Sequence, residues 1–120
     1  MNTLKTRLRV LHGDEIALGP GKVALLAGIE QTGTLAEAAR LLGMSYTRAW
    51  NLLRTMNACF KTPLVESERG GTERGHAALT ETGRAVLALY RRMEEESLRA
   101  ADPAWQKLRR HLADSSVRHT

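Results

Sequence analysis

The 120 residues predict a mainly α-helical fold with a small β component, on three observations. Residues 33–60 read as two helices joined by a tight turn, with apolar side chains recurring at spacings of three and four. Residues 4–11 alternate apolar and polar, largely basic, with period two. After residue 60, two short apolar segments flank a Gly-rich charged loop, and a long amphipathic stretch follows them.

A chain of this length can bury a core as one domain without disulfide or metal staples. Lys and Arg number 18 against 13 Asp and Glu, giving a net charge of +5 and a pI near 10.0. That balance favours a polyanionic partner. The single Cys59 leaves no intramolecular disulfide and suits a reducing compartment. No apolar run approaches the roughly 20 residues a membrane span requires. Met1 to Lys5 lacks the apolar core of a secretory signal. The expected location is cytoplasmic, with no membrane partner.

Taken in order, Leu4, Thr6, Leu8 and Val10 fall on one side of a strand, with Lys5, Arg7 and Arg9 on the other. Gly13-Asp14 turns the chain, and Glu15 to Leu18 return as a second strand. The basic face reads as a solvated edge guarded by cations, with DNA contact as the alternative. Gly19-Pro20-Gly21 then opens a helix whose Val23, Leu25, Leu26, Ala27 and Ile29 make it central to the core. Gly19 to Lys22 is not a phosphate-binding P-loop. That pattern needs a glycine where Ile16 stands and a Ser or Thr after Lys22.

Thr34 precedes Glu37 by three residues, the capping-box spacing. Ala38, Ala39, Leu41 and Leu42 follow as a face that lets another helix come close. Gly43 stops that helix, Met44 fills the turn, and Ser45 caps the next. Along the second helix Ala49, Leu52, Leu53, Met56 and Phe60 share a face, while Thr47, Arg48, Asn51, Arg54 and Thr55 lie away from it. Two helices across a short Gly turn, the second presenting hydrogen-bonding side chains, are a helix-turn-helix. A plain helical hairpin with a solvated outer face is the other reading of the same pattern.

Leu64-Val65 and Ala77 to Leu79 form a hairpin that takes the place of a wing. Arg69, Arg74 and His76 are its tip groups able to reach phosphate, unless the loop touches nothing. Thr80 caps a helix running to about Ala101, in which Val86, Leu87, Leu89, Tyr90, Met93 and Leu98 form the apolar stripe. Asp102-Pro103 is expected to start a separate short helix, with Trp105, Leu108 and Leu112 on one side. The predicted organisation is a winged helix-turn-helix domain with an N-terminal strand hairpin and a long C-terminal helix over residues 1–101. A short amphipathic helix over 102–113 and a disordered tail over 114–120 complete it. The distal apolar surface is expected to serve homodimerisation, or to fold back onto the core.

With AARLLG, MSYTRAW, PLVE, a Gly-rich wing and ALTETGRAVLALY in this order, residues 4–98 resemble the N-terminal DNA-binding domain of the molybdate-responsive regulators (ModE). A more distant resemblance is to the LysR-type winged helix, through the AA-x-x-LG turn, the PLV strand and the LT-x-x-G helix start. The LysR pattern lacks the strand hairpin and Gly-Pro-Gly, and its Gln-x-x-x-Ser-Arg after the turn is absent here. The resemblance implies a DNA-binding transcriptional regulator, a homodimer on a pseudo-palindromic operator of double-stranded DNA. ModE regulators also carry molybdate-binding modules of small β-barrel type. Those are not among these 120 residues, so the reading is of a regulator lacking them.

In such a regulator Arg48 would donate twice to a guanine edge and Asn51 would pair with adenine. Ser45, Tyr46 and Thr47 stand at the helix start, near phosphate or base edges, and Arg54 is placed to hold phosphate. Trp50 borders the apolar face and is expected in the core. A protein-interaction adaptor on the same scaffold, without sequence-specific DNA binding, is the reading from another class. Enzymatic readings lack residues: His12, His76, His111 and His119 are scattered, Cys59 reads as a small core residue, and Ser45 has no base nearby. No catalytic residue, metal, cofactor or small-molecule site is expected.

Overall fold

Three hydroxyls set where the helices after the first begin. In the computed structural model, which describes residues 2–67 and 75–114, Thr34 Oγ1 accepts from the Glu37 amide at 3.0 Å. Ser45 Oγ accepts from the Arg48 amide at 3.1 Å, and Thr80 Oγ1 from the Gly83 amide at 3.0 Å. Each satisfies a backbone donor that the helix itself leaves without a partner. The elements in order are β1 (Val10–His12), β2 (Glu15–Leu18), α1 (Pro20–Thr32), α2 (Leu35–Leu41) and α3 (Tyr46–Ala58). They continue with β3 (Val65–Ser67), β4 (Ala77–Leu79), α4 (Glu81–Leu108) and a closing 3₁₀ turn (Arg109–His111).

The hairpin β1–β2 is antiparallel, pairing Leu11 with Ile16 and His12 with Glu15, with a bulge after Val10. The hairpin β3–β4 pairs Val65 with Leu79 and Ser67 with Ala77. Its tip, with Arg69 and Arg74, lies outside the described residues. Helix α1 is the hub. Leu25, Leu26 and Ile29 are fully buried, and α1 touches α2, α3, α4 and the inner strands of both hairpins. Burying each such side chain stabilises the fold by about 1.5–3 kcal/mol. Leu35, Ala38 and Ala39 of α2 and Ala49, Leu53 and Met56 of α3 pack on it.

The turn between α2 and α3 needs a left-handed residue, and Gly43 supplies it with φ +66°. Past α3, the Asn57 carboxamide takes the Leu64 amide at 2.9 Å and donates to the Val65 carbonyl at 3.2 Å, fixing β3 to the helix. Thr80 donates to the Pro63 carbonyl at 2.7 Å, and its amide donates to the Leu64 carbonyl at 2.9 Å. Gly83 then passes so close that a Cβ there would overlap the Leu64 carbonyl oxygen and lie 3.0 Å from its carbon. The first turn of α4 is pinned to the base of the wing.

Four expectations change. Among residues 4–11 only Val10 and Leu11 belong to β1. The segment before them keeps its alternating burial by lying along α4, where Tyr90 Oη donates to the Leu8 carbonyl at 2.8 Å and Thr6 Oγ1 to Glu94 at 3.4 Å. Leu41 is 57% exposed, so α2 packs through Leu35, Ala38 and Ala39. In α4, Leu89 and Met93 of the expected apolar stripe are exposed, while Glu94, outside that stripe, is half-buried. The separate helix over 102–113 does not exist, because α4 runs unbroken through Pro103. Pro103 faces solvent and costs one backbone hydrogen bond, at an exposed position where water can satisfy the carbonyl, with Ala100, Ala101 and Ala104 in the surrounding turns favouring helix. At 28 residues α4 is about 42 Å long, which accounts for most of the 58 Å long axis.

Candidate nucleic-acid interface

The amphipathic pattern of α3 buries one side against α1 and leaves the other to solvent. Tyr46, Thr47, Arg48, Asn51 and Arg54 are all exposed, and Ser45 stands exposed at their head as the N-cap. Among the described residues none of these five side chains makes a hydrogen bond or ion pair. Donors and charges therefore point outward from a helix held rigidly from behind. Trp50 and Leu52 are half-buried at the edges of this face and pack against the core, as expected of Trp50.

His76 is exposed but sits elsewhere. It forms an antiparallel bridge with Thr34, and the neighbouring Ala77 amide donates to the Gly33 carbonyl at 2.9 Å. The wing strand is thus fastened beside the start of α2. The structure brings Ser45, Tyr46, Thr47, Arg48, Asn51 and Arg54 onto one helix and places His76 at another corner.

Two clefts flank α3, and both hold residues that sequence reasoning set aside. One, of about 390 Å³, is lined by Arg7, Arg9 and the start of α1 together with Arg48 and Leu52. The alternation of residues 4–11 signals a basic face, but not that it lies next to α3. The other brings His12 and Glu15 of the β1–β2 hairpin to Arg54 and Cys59 at the far end of α3. Cys59 is therefore half-exposed and not a core residue. No hydrogen bond links His12, Glu15 and Cys59, and no cluster fit for a metal occurs among the described residues.

Residues 22–84 match the family model described as bacterial regulatory helix-turn-helix protein, lysR family. The chain belongs to this LysR-type family. The matched span runs from α1 through the helix-turn-helix and wing to the first turn of α4, so the LysR-type unit includes the Gly83 contact. The solved CbnR_DBD–DNA complex is similar in fold, with a TM-score of 0.58 and 22% identity, covering 73% of this chain and 95% of that one. The winged helix-turn-helix fold is thereby shown.

Curated relatives add a narrower likeness. The molybdenum-pterin-binding protein MopA of Rhodobacter capsulatus is 42% identical over 77 residues, 64% of this chain and 29% of its own. The molybdenum transport protein ModE of Azotobacter vinelandii is 37% identical over 92 residues, 77% of this chain and 34% of its own. This LysR-type chain spans about a third of the length of the relatives it matches. Among the described residues no helix is long and apolar enough to cross a membrane.

Proposed function

We propose that the chain is a ModE-like transcriptional regulator that binds double-stranded DNA in a sequence-specific way, in the cytoplasm and as a homodimer. The observation that carries this reading is the outward face of α3, where Thr47, Arg48, Asn51 and Arg54 are exposed and, among the described residues, unpaired on a helix buried from behind. A helix of this width enters the major groove, where each base pair presents its own pattern of donors and acceptors. Thr47 and Asn51 face outward near the centre of that surface, with Asn51 matched to an adenine edge. Arg54 is suited to phosphate. Ser45 contributes through its cap, which fixes the helix start, and Tyr46 flanks it. Arg69, Arg74 and His76 of the wing would add phosphate contacts that position without reading sequence.

The homodimer would form through α4, which exposes Leu89, Met93 and Leu108. Two copies would present two recognition helices to half-sites about one helical turn of DNA apart. The protein acts by binding, and no reaction is assigned to it. The names of the relatives suggest a regulon connected with molybdenum.

The test is binding of the purified protein to its own upstream DNA across a series of salt concentrations, with and without molybdate. The expected result is sequence-selective binding whose logarithm falls linearly with the logarithm of salt. Equal, salt-insensitive binding to operator and random duplexes would remove the regulator reading and leave the adaptor. A change on adding molybdate would add an effector to the regulator.

A further inference from the structure

The cleft between the N-terminal segment and α3 is left over once the outward face of α3 is assigned to base reading. Three separate segments supply its cations: Arg7 and Arg9, Lys22 of α1, and Arg48 of α3. Among the described residues none of the four is ion-paired. Lys22 is the telling one. It is only 9% exposed, its Nζ donates to the Ile16 carbonyl, and among the described residues no carboxylate pairs with it. A buried ammonium has three donors, and a charge without a counter-ion is costly to bury unless a ligand supplies one.

The start of α1 closes the same cleft. Gly19 is its N-cap and offers no side-chain acceptor, and Pro20 has no amide hydrogen. The amides of Gly21 and Lys22 are then the first donors of a 13-residue helix without an intrahelical acceptor. Arg9 is held over this point, its Cγ 3.7 Å from where a Cβ at Gly19 would sit. Thr6 and Leu8, bonded to α4, hold the segment that presents Arg7 and Arg9. Donors from a helix terminus, an ammonium and guanidinium groups converging from several directions suit a tetrahedral oxyanion.

We propose that this cleft is a phosphate seat, filled in the regulator by a backbone phosphate of the DNA strand that borders the groove entered by α3. The inference rests on the DNA-binding reading and deepens it. Arg48 becomes a phosphate contact shared with Arg7 and Arg9, and base reading falls to Thr47 and Asn51. A free phosphate ion has the same chemistry and is the other source to be distinguished.

The deciding experiment compares the wild-type chain with the double variant Arg7→Ala/Arg9→Ala. Operator and random duplexes are titrated across a salt series, with ethylation interference on the operator. Both arginines are exposed, so the variant should keep the wild-type circular dichroism and melting temperature. Its affinity should fall about tenfold or more on both duplexes alike, and its salt slope should fall by about one to two. The interference signal should vanish at one phosphate per half-site. Replacing chloride by inorganic phosphate at matched ionic strength separates the sources. Unchanged DNA binding assigns the seat to the backbone. Specific release, with shifts of the Gly21 and Lys22 amides in phosphate without DNA, assigns it to the free ion. A variant with the wild-type slope and interference pattern overturns the seat while leaving DNA binding intact. A wild-type chain that binds neither duplex, and whose amides do not move in phosphate, ends both readings.

Discussion

Helices α3 and α4 are both amphipathic and both begin at a hydroxyl cap, yet they differ in the apolar surface they leave uncovered. Helix α3 buries Ala49, Leu53 and Met56 along its length, and most of what it exposes is hydrogen-bonding. Helix α4 buries Gly83, Leu87 and Tyr90 in its first half and, among its exposed charges, leaves Leu89, Met93 and Leu108 in water. Donors and charges are well solvated until a polyanion replaces their water. Exposed apolar surface costs about 25 cal/mol per Å² wherever a partner could have covered it. Under the proposed function the two outward faces would serve different partners, nucleic acid on α3 and a second apolar face on α4.

Breaking the attachment of α4 should have the largest effect. Gly83→Val places a side chain into the Leu64 carbonyl and should cost about 3 kcal/mol or more, read from urea unfolding. A midpoint equal to wild type would mean that α4 is not pinned to the wing. On the other helix, Asn51→Ala should lose about 1–3 kcal/mol of discrimination between operator and random duplex. Sedimentation of the free protein should stay the same. If both duplexes weakened equally, Asn51 would not be reading a base.

The reciprocal variant, Leu89→Asp with Met93→Asp, should raise the dimer dissociation constant about tenfold or more, with little change in monomer stability. Analytical ultracentrifugation decides it, and an unmoved constant would place the apolar partner elsewhere. Tyr90→Phe is the mildest, removing a donor to the Leu8 carbonyl worth about 1 kcal/mol. Burial first, and the Glu94 carboxylate second, hold the Tyr90 hydroxyl above its ordinary value. The neutral phenol thus favours the fold fully below the unfolded value near ~10, and that contribution is lost as pH rises through the higher folded value. Unfolding at pH values around 7 and above ~10 should show a steeper alkaline loss for wild type than for the variant.

Much of this was legible in the sequence wherever the cause is local. The Thr34, Ser45 and Thr80 caps follow from spacing alone, as does the turn at Gly43, and so the order of helices could be written without coordinates. That Thr47, Arg48, Asn51 and Arg54 lie away from the core followed from the same periodicity. What could not be read was which distant surface covers a face. Alternation in residues 4–11 showed that one side is covered, but the cover is α4 and not a long partner strand. The basic side of that segment was read as a solvated edge, because nothing in its period shows that it borders Arg48. Asp102-Pro103 looked like a helix start since an acidic cap and a first-turn proline fit one. Yet α4 continues through it on a solvent-facing side, where water can take the carbonyl left without a donor and Ala100, Ala101 and Ala104 in the surrounding turns favour helix. Cys59 was misplaced because a helix's last turn can run past the core it belongs to.

The hydrogen bond from Tyr90 to Leu8 joins residues 82 positions apart and has a consequence for the order in which the molecule matures. The N-terminal segment is made first, but its docking surface is part of the last helix. Loops that long close late and slowly compared with helix-turn-helix contacts between neighbours in sequence. During synthesis α3 can therefore assemble on α1 while Arg7 and Arg9 are still unplaced, and the basic cleft is completed only when α4 has formed.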